Sequence, residues 1–312
     1  MAETIHIAIP ADDKYWQYAL VTARSAERGS SLPIEFHIID GGISAHHKKA
    51  MIDALRSKIV FHEFDSCDWP EWHGSGITWS RLCLTELLPD IEWVLSADAD
   101  VMFRGDVADL WRLRVPDALL MPSRDHPLPG HAYNEKAIAW HEKTGCTITN
   151  PADYFCVGLT LLNLAAMRKF GWSAKRDEMI RNLGRENILY PDQSVLNYLL
   201  QGQKELLPVQ WGCFSGDENA DIDWLRSGAV HFVEDTPWAR RKCTHLMSDL
   251  VMEWWKIAES CRLEVQGFRG CKNWFDYAWR RAAFVFLKHN QWILKLHPKL
   301  WLHLRSTKGV RI

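Results

Sequence analysis

Apolar and polar positions alternate between two periods from the start of the chain. Ile5–Ile9 is a short apolar run of strand type, Tyr15–Arg28 carries helical spacing, Ile34–Ile39 reads as a second strand and Ala45–Arg56 as a second helix. A third strand is expected at Ile59–Phe64. Trp79–Leu88 predicts a helix stopped by Pro89, and Trp93–Ala97 predicts the next strand. Further strands are expected at Ala118–Met121, Leu159–Leu164 and Ala229–Val233, with helices near Ala165–Leu183 and Gln193–Gln201. This rhythm predicts an α/β fold whose mostly parallel sheet is flanked by helices. His126–Asp153, rich in Pro, Gly, His and Thr, reads as a long loop over the sheet edge, the kind of segment that often serves as a functional lid.

Composition narrows the class. A chain of 312 residues with 47% hydrophobic and 24% charged residues can bury a full core without staples. A formal net charge of -2 gives no reason to expect nucleic acid. The eight cysteines are scattered without C-x-x-C spacing, which argues against a zinc framework or disulfide scaffold and fits a reducing cytoplasm. The start of the chain lacks the pattern of a secretory signal, and no stretch has the roughly 18 uninterrupted apolar residues of a membrane span.

The most informative segment is Trp93-Val-Leu-Ser-Ala-Asp98-Ala-Asp100-Val, an apolar strand running into two carboxylates spaced by one residue. On an extended strand both side chains would share a face about 6.6 Å apart. Such a pair repels unless a cation lies between, so it is a natural seat for a hard, oxygen-loving metal. Open α/β sheets bind ligands at the C-terminal ends of their strands, and other polar clusters follow predicted strands or open helices. Asp12, Asp13 and Tyr15 follow the first strand, where a carboxylate could accept from a nucleoside and Tyr15 could stack; capping of the next helix explains either aspartate equally well. Asp192 and Gln193 open a helix, and the helix dipole alone would favour Asp192 there, although it does not explain Gln193. His231 ends a strand, as a structural histidine or as a ligand. Neither a G-x-G-x-x-G loop nor a Walker lysine loop follows the first strand, which argues against a dinucleotide dehydrogenase and a P-loop NTPase.

In order along the chain, Ala-Asp12-Asp13-x-Tyr15, Phe36-His37-Ile-Ile-Asp40-Gly-Gly-Ile-Ser44, Thr78-Trp-Ser-Arg81-Leu, Ala-Asp98-Ala-Asp100-Val, Tyr154-Phe155-x-x-Gly158 to Asn163, Tyr190-x-Asp192-Gln193 to Asn197, and His231 followed by Pro-Trp238 resemble the retaining glycosyltransferases of family 8, the bacterial lipo-oligosaccharide galactosyltransferases in particular. The resemblance implies a GT-A nucleotide-binding sheet, a UDP-sugar donor carrying galactose or glucose, a glycan or glycolipid acceptor, and Mn²⁺, with Mg²⁺ as the alternative, held by Asp98, Asp100 and His231. It implies that Asp12 meets the uracil and Tyr15 stacks on it, that Ala11 and Ala99 lie against the donor, and that Arg81, Asp125, Asp192 and Gln193 surround the donor sugar. A divalent ion is what cleavage of a sugar–diphosphate bond calls for, because it stabilises charge on the departing oxygens. Gln193 is a poor nucleophile, so the expectation is same-face attack by the acceptor hydroxyl with the departing phosphate taking its proton.

Two departures from the family pattern stand out. Cys156 replaces the usual Asn near the donor sugar, and the stretch after His231 has Glu234 and Asp235 and lacks the usual lysine on the diphosphate. Arg240, Arg241 or Lys242 is expected to supply that cation, since a guanidinium binds phosphate at least as well.

The expected organisation is a glycosyltransferase domain at residues 1–250 and a helical extension at 251–312. The extension interleaves six tryptophans, from Trp254 to Trp301, with Arg and Lys, which predicts attachment to an anionic membrane surface on the inner face of the cytoplasmic membrane. A helical cap with buried tryptophans is the other reading. Two rival functions are a phosphohydrolase with Asp98 as nucleophile and a non-catalytic nucleotide-sugar binder.

Overall fold

A computed structural model of the chain describes residues 3–67, 69–71, 75–125, 134–146, 148, 150–214, 228–233, 236–238 and 245–263. The chain divides into two compact units, Met1–Cys213 with Asn219–His231, and Phe214–Glu218 with Phe232–Ile312.

In the first unit, strands Ile5–Ala11 (β1), Ile34–Asp40 (β2) and Lys58–Glu63 (β3) are joined by helices Trp16–Gly29 (α1) and Ala45–Ala54 (α2). A 3₁₀ helix at Ile77–Cys83 runs into Leu84–Leu87 (α3), followed by Trp93–Ala97 (β4), Val101–Phe103 (β5), Val107–Arg112 (α4) and Leu120–Arg124 (β6). Then come Glu135–Lys143 (α5), Phe155–Asn163 (β7), Leu164–Phe170 (α6), Trp172–Leu183 (α7), Pro191–Leu200 (α8), Trp211–Phe214 (β8) and Ala229–His231 (β9). One sheet has the order β3-β2-β1-β4-β7-β6, and a small sheet has the order β5-β9-β8. Strands β3, β2, β1 and β4 pair in parallel, while β7 runs antiparallel to both β4 and β6.

The central strands are apolar because they are covered on both faces. Ile5, Ile7, Ala8 and Ile9 of β1 are fully buried, as are Phe36 and Ile38 of β2 and Val94 and Leu95 of β4. Burying each such aliphatic side chain stabilises the fold by about 1.5–3 kcal/mol. From β1 the chain builds outward on both sides, to β2 and β3 on one flank and to β4 on the other, so β1 and β4 bound a topological switch point, where α/β sheets open a crevice.

Local chemistry explains where the structure departs from the periodicity. The expected helix Ala165–Leu183 is two helices, because Gly171 adopts φ +76° between them, a left-handed conformation that ends α6 and starts α7 at a new angle. The expected helix Trp79–Leu88 is divided between a 3₁₀ helix, Ile77–Cys83, and a short α-helix, Leu84–Leu87. Within the expected loop His126–Asp153, residues Glu135–Lys143 form α5, capped by the Asn134 side chain accepting from Ala137 N–H at 3.1 Å. Strands β5 and β8 and helix α4 are too short to carry a period.

In the second unit, His245–Ser260 is a helix (α9). Trp255 Nε1 donates to Pro237 O at 3.2 Å and Trp254 packs on Trp238 with ring centroids 5.3 Å apart, and both helix tryptophans are buried. These two therefore belong to the interior and add nothing to an exposed aromatic surface; the tryptophans from Trp274 onward lie outside the described residues. Among the described residues, no helix is long and apolar enough to cross a membrane.

One polar row crosses the sheet. His37 on β2 is buried between His6 on β1 and His62 on β3, with ring nitrogens 3.0 Å apart on either side. Burial, reinforced by the two neighbouring imidazoles and Lys58 and opposed by Glu35, pulls the His37 pKa down to about 4. The unfolded chain binds that proton near pH 6.5, so stability rises with pH between about 4 and 6.5, is fully present above 6.5 and is lost as pH falls toward 4. In chelator-treated protein, urea titrations at pH 7 and pH 4.5 should show a His37→Gln chain losing less stability on acidification than the native chain, by up to about 3 kcal/mol. Equal losses in both would contradict the assignment.

Candidate active site

Asp98 and Asp100 do not sit on the strand. They occupy the tight turn between β4 and β5, closed by Val101 N–H donating to Asp98 O at 3.1 Å, so the extended spacing of the sequence reading is replaced by a closer, turned arrangement. Buried Thr22 on α1 fixes this turn: its hydroxyl lies 2.9 Å from the Ala99 carbonyl and 2.7 Å from that of Val101. One turn along, Ser25 Oγ accepts from Phe103 N–H at 2.9 Å. Thr22 and Ser25 are functional supports that the sequence reading missed; their signal is polar residues at helical spacing on the apolar face of α1.

His231, at the end of β9, comes to the same place because β9 pairs with β5 and sets His231 opposite Val101. Its Nε2 lies 3.2 Å from Asp100 Oδ1 and 3.7 Å from Asp98 Oδ2. Candidate ligand atoms of Asp98, Asp100 and His231 all fall within 4.8 Å of one another. Asp100 Oδ1 is buried and, ion-paired with that nitrogen, has no hydrogen-bond partner among the described residues. Two carboxylates and an imidazole are a donor set suited to Mn²⁺ or Mg²⁺, and the residues fit a divalent ion. Burial opposes charging His231, yet Asp100 and Cys156 outweigh it and hold the imidazole pKa well above its ordinary value, so a metal bound here would have to displace a proton.

The close approach of the imidazole depends on Gly158 of β7. A Cβ on Gly158 would lie 2.1 Å from His231 Cε1, and the same residue's carbonyl accepts from Asp98 N–H at 2.8 Å. Cys156 touches the far side of the ring, with Sγ 3.7 Å from Nδ1, so its thiol meets the His231 imidazole at the nitrogen other than the one nearest the carboxylates.

Arg81 connects this cluster to the next. It is buried, donates through Nε to Ser96 Oγ at 2.9 Å, and reaches Asp98 with Nη2 and Asp192 with Nη1. Asp192 accepts in turn from Gln193 N–H at 2.8 Å at the start of α8, where Pro191 needs no N–H partner. The Gln193 amide is held on three sides: Nε2 donates to Tyr154 Oη at 2.9 Å and more weakly to Asp125 Oδ1 at 3.4 Å, and Oε1 accepts from Val157 N–H at 3.3 Å. Asn197, one turn further, bonds both the N–H and the C=O of Phe155, fastening α8 to β7.

The first-strand cluster is divided. Asp12 Oδ1 accepts from Lys14 and Tyr15 N–H at 2.9 and 3.0 Å, closing the turn that leads into α1 rather than capping the helix itself, while Ala11 is buried at the strand end. Asp13 turns away to Ser44 N–H and His47. Tyr15 is half-buried; its phenol pKa is raised by burial and then by Asp100 and Asp12, which puts it within electrostatic reach of the paired carboxylates. Arg240, Arg241 and Lys242, and Glu234 and Asp235, lie outside the described residues.

The sequence profile described as Glycosyl transferase family 8 matches residues 6–240. The chain belongs to this family. A Haemophilus influenzae protein provisionally named a glycosyltransferase is 22% identical over 266 residues, 78% of this chain and 76% of that one. Human glucoside xylosyltransferase 1 is 25% identical over 236 residues, 67% of this chain and 51% of that protein, so the chain spans about half the length of this relative. The galactosyltransferase LgtC, solved with donor and acceptor sugar analogues, superimposes with a TM-score of 0.68 at 24% identity, covering 82% of this chain and 96% of that one. That likeness is one of fold, a GT-A sheet, and family membership makes the chain a glycosyltransferase.

Replacing Gly158 by Ala should displace His231 and weaken Mn²⁺ binding at least tenfold, about 1.4 kcal/mol, with secondary structure retained. Calorimetric Mn²⁺ titration beside circular dichroism checks this, and unchanged affinity would separate His231 from the metal.

Proposed function

We propose that the chain is a metal-dependent retaining hexosyltransferase, moving galactose or glucose from a UDP-sugar to a hydroxyl of a glycan acceptor in cell-surface polysaccharide or lipo-oligosaccharide synthesis. The observation that carries this reading is the convergence of Asp98, Asp100 and His231, joined through Arg81 to the Asp192–Gln193 pair at the mouth of the sheet. Asp98, Asp100 and His231 would hold the ion, which when bound supplies Lewis-acid stabilisation of the diphosphate leaving group.

The protein's own groups do the rest. Arg81, locked by Ser96, orients Asp98 toward the metal position and Asp192 toward the donor sugar. As the anomeric C–O bond to phosphate breaks, positive charge grows on the sugar ring, and the fixed oxygens of Asp192, Gln193 and Asp125 ease it without rearranging. The acceptor oxygen bonds to the same face that the phosphate leaves, and its proton passes to the departing phosphate oxygen. Asp98 is engaged by Arg81 and His231, which disfavours its use as a phosphohydrolase nucleophile.

With Mn²⁺ present, a panel of UDP-galactose, UDP-glucose and UDP-xylose should show release of UDP from a hexose donor, and proton NMR of the fresh product should show an α linkage. A β product rules out retention, turnover of the xylose donor alone removes the hexose assignment, and binding without turnover leaves a nucleotide-sugar binder. For the diphosphate, the expectation is that alanine at Arg240, Arg241 and Lys242 together weakens UDP binding by about tenfold or more, as loss of a charge-assisted phosphate contact should. Unchanged UDP affinity would remove these three from the site.

A further inference from the structure

The row of histidines across the sheet is a second cluster of ligating side chains, remote from the first. His6 is register-paired with Glu35, Ala8 with His37, and Ile39 with His62, so His6, Glu35, His37 and His62 share one face of three adjacent parallel strands. His6 lies one residue before the Ile7–Leu95 pair of β1 and β4, whereas Asp98 and Asp100 follow the far end of β4 at Ala97, so the two clusters lie at different points along the strands.

We propose that His6, Glu35 and His37 form a second metal site, suited to a borderline ion such as Zn²⁺, with His62 orienting His37 from behind. Candidate ligand atoms of the three residues lie within 4.8 Å of one another. His6 Nδ1 and His37 Nε2 are 3.0 Å apart, and Glu35 Oε1 is 4.0 Å from His37 Nε2. Two nitrogens bound tetrahedrally to Zn²⁺ at about 2.0–2.1 Å lie about 3.3 Å apart, so small side-chain shifts suffice.

The other ring nitrogen of His37 is already placed as a ligand's should be. Its Nδ1 faces His62 Nε2 at 3.0 Å, the outer hydrogen bond that fixes a ligating imidazole's tautomer. With His37 donating from Nδ1, its Nε2 presents a lone pair, and His6 offers a second once its proton sits on Nε2; the change is one of tautomer and releases no proton. The donor set differs from that of the first site: two imidazoles and one carboxylate favour Zn²⁺, Co²⁺ or Ni²⁺ over the oxygen-seeking Mn²⁺ and Mg²⁺. His37 is buried, whereas His6 and Glu35 are partly open, which leaves a path for the ion and room for water as a fourth ligand. The present competitor is Lys58, whose exposed ammonium lies 3.0 Å from Glu35 Oε1 and can swing out.

The test uses the full chain carrying Asp100→Asn and His231→Gln, which removes two candidate ligands of the first site while leaving both carboxylate partners of Arg81 in place. Calorimetric titration with Zn²⁺ should show one equivalent, and Co²⁺ should give the visible absorption of a four-coordinate ion. Adding His6→Ala or Glu35→Gln should weaken Zn²⁺ binding at least tenfold and abolish the Zn²⁺-dependent rise in melting temperature, while His46→Ala, on exposed α2, should change neither. Absence of Zn²⁺ binding in the parent, or binding that His6→Ala and Glu35→Gln leave intact in folded protein, overturns the proposal. The outcome does not depend on the transferase reading.

Discussion

A buried guanidinium holds the site together. Arg81 is taken out of water among Ser96, Asp98 and Asp192, a placement that is stable only while both carboxylates stay with it; removal of one partner from such a buried pair leaves an uncompensated charge and costs several kcal/mol. The same contacts orient one acid of the β4–β5 turn and one acid of the α8 N-terminus. The spatial relation between the Asp98–Asp100 turn and the N-terminus of α8 is therefore built into a single side chain, delivered by the 3₁₀ helix at Ile77–Cys83 rather than by a loop.

Around that guanidinium the sheet supplies fixed positions. The β4–β5 turn is clamped by Thr22, β9 carries His231 to it through pairing with β5, and β7 contributes a glycine where the imidazole must lie against the backbone. Each support comes from a different element, so the turn, the imidazole and the Gln193 amide are positioned by the packed core and need little ordering when substrate arrives. Preorganisation of this kind is where electrostatic stabilisation of a charged transition state gains most, because nothing has to reorient as charge develops.

Much of this was legible in the sequence, and for identifiable reasons. Strands β1 to β4 are apolar runs separated by amphipathic helices, so their period survives in the chain, and the Asp98-x-Asp100 pair is conspicuous after an apolar strand. What was hidden is local or long-range. Gly171 breaks a helix that the hydrophobic period carries straight through, Asn134 starts a helix inside a stretch whose composition says loop, and a two-residue spacing cannot distinguish a strand from a tight turn. The contacts of Thr22 with the turn at Asp98–Val101, of Gly158 with His231, and of Arg81 with Asp192 join residues more than 70 positions apart and leave no periodic trace.

The proposed transferase chemistry requires a divalent ion on Asp98, Asp100 and the imidazole of His231. Pulsed electron paramagnetic resonance of the Mn²⁺-loaded, UDP-bound chain reads it most directly, since nitrogen coupled to the ion reports an imidazole ligand. The account predicts histidine nitrogen coupling in the native chain and its loss in His231→Gln with Mn²⁺ still bound more weakly; coupling absent from the native chain, or unchanged in the variant, would contradict it.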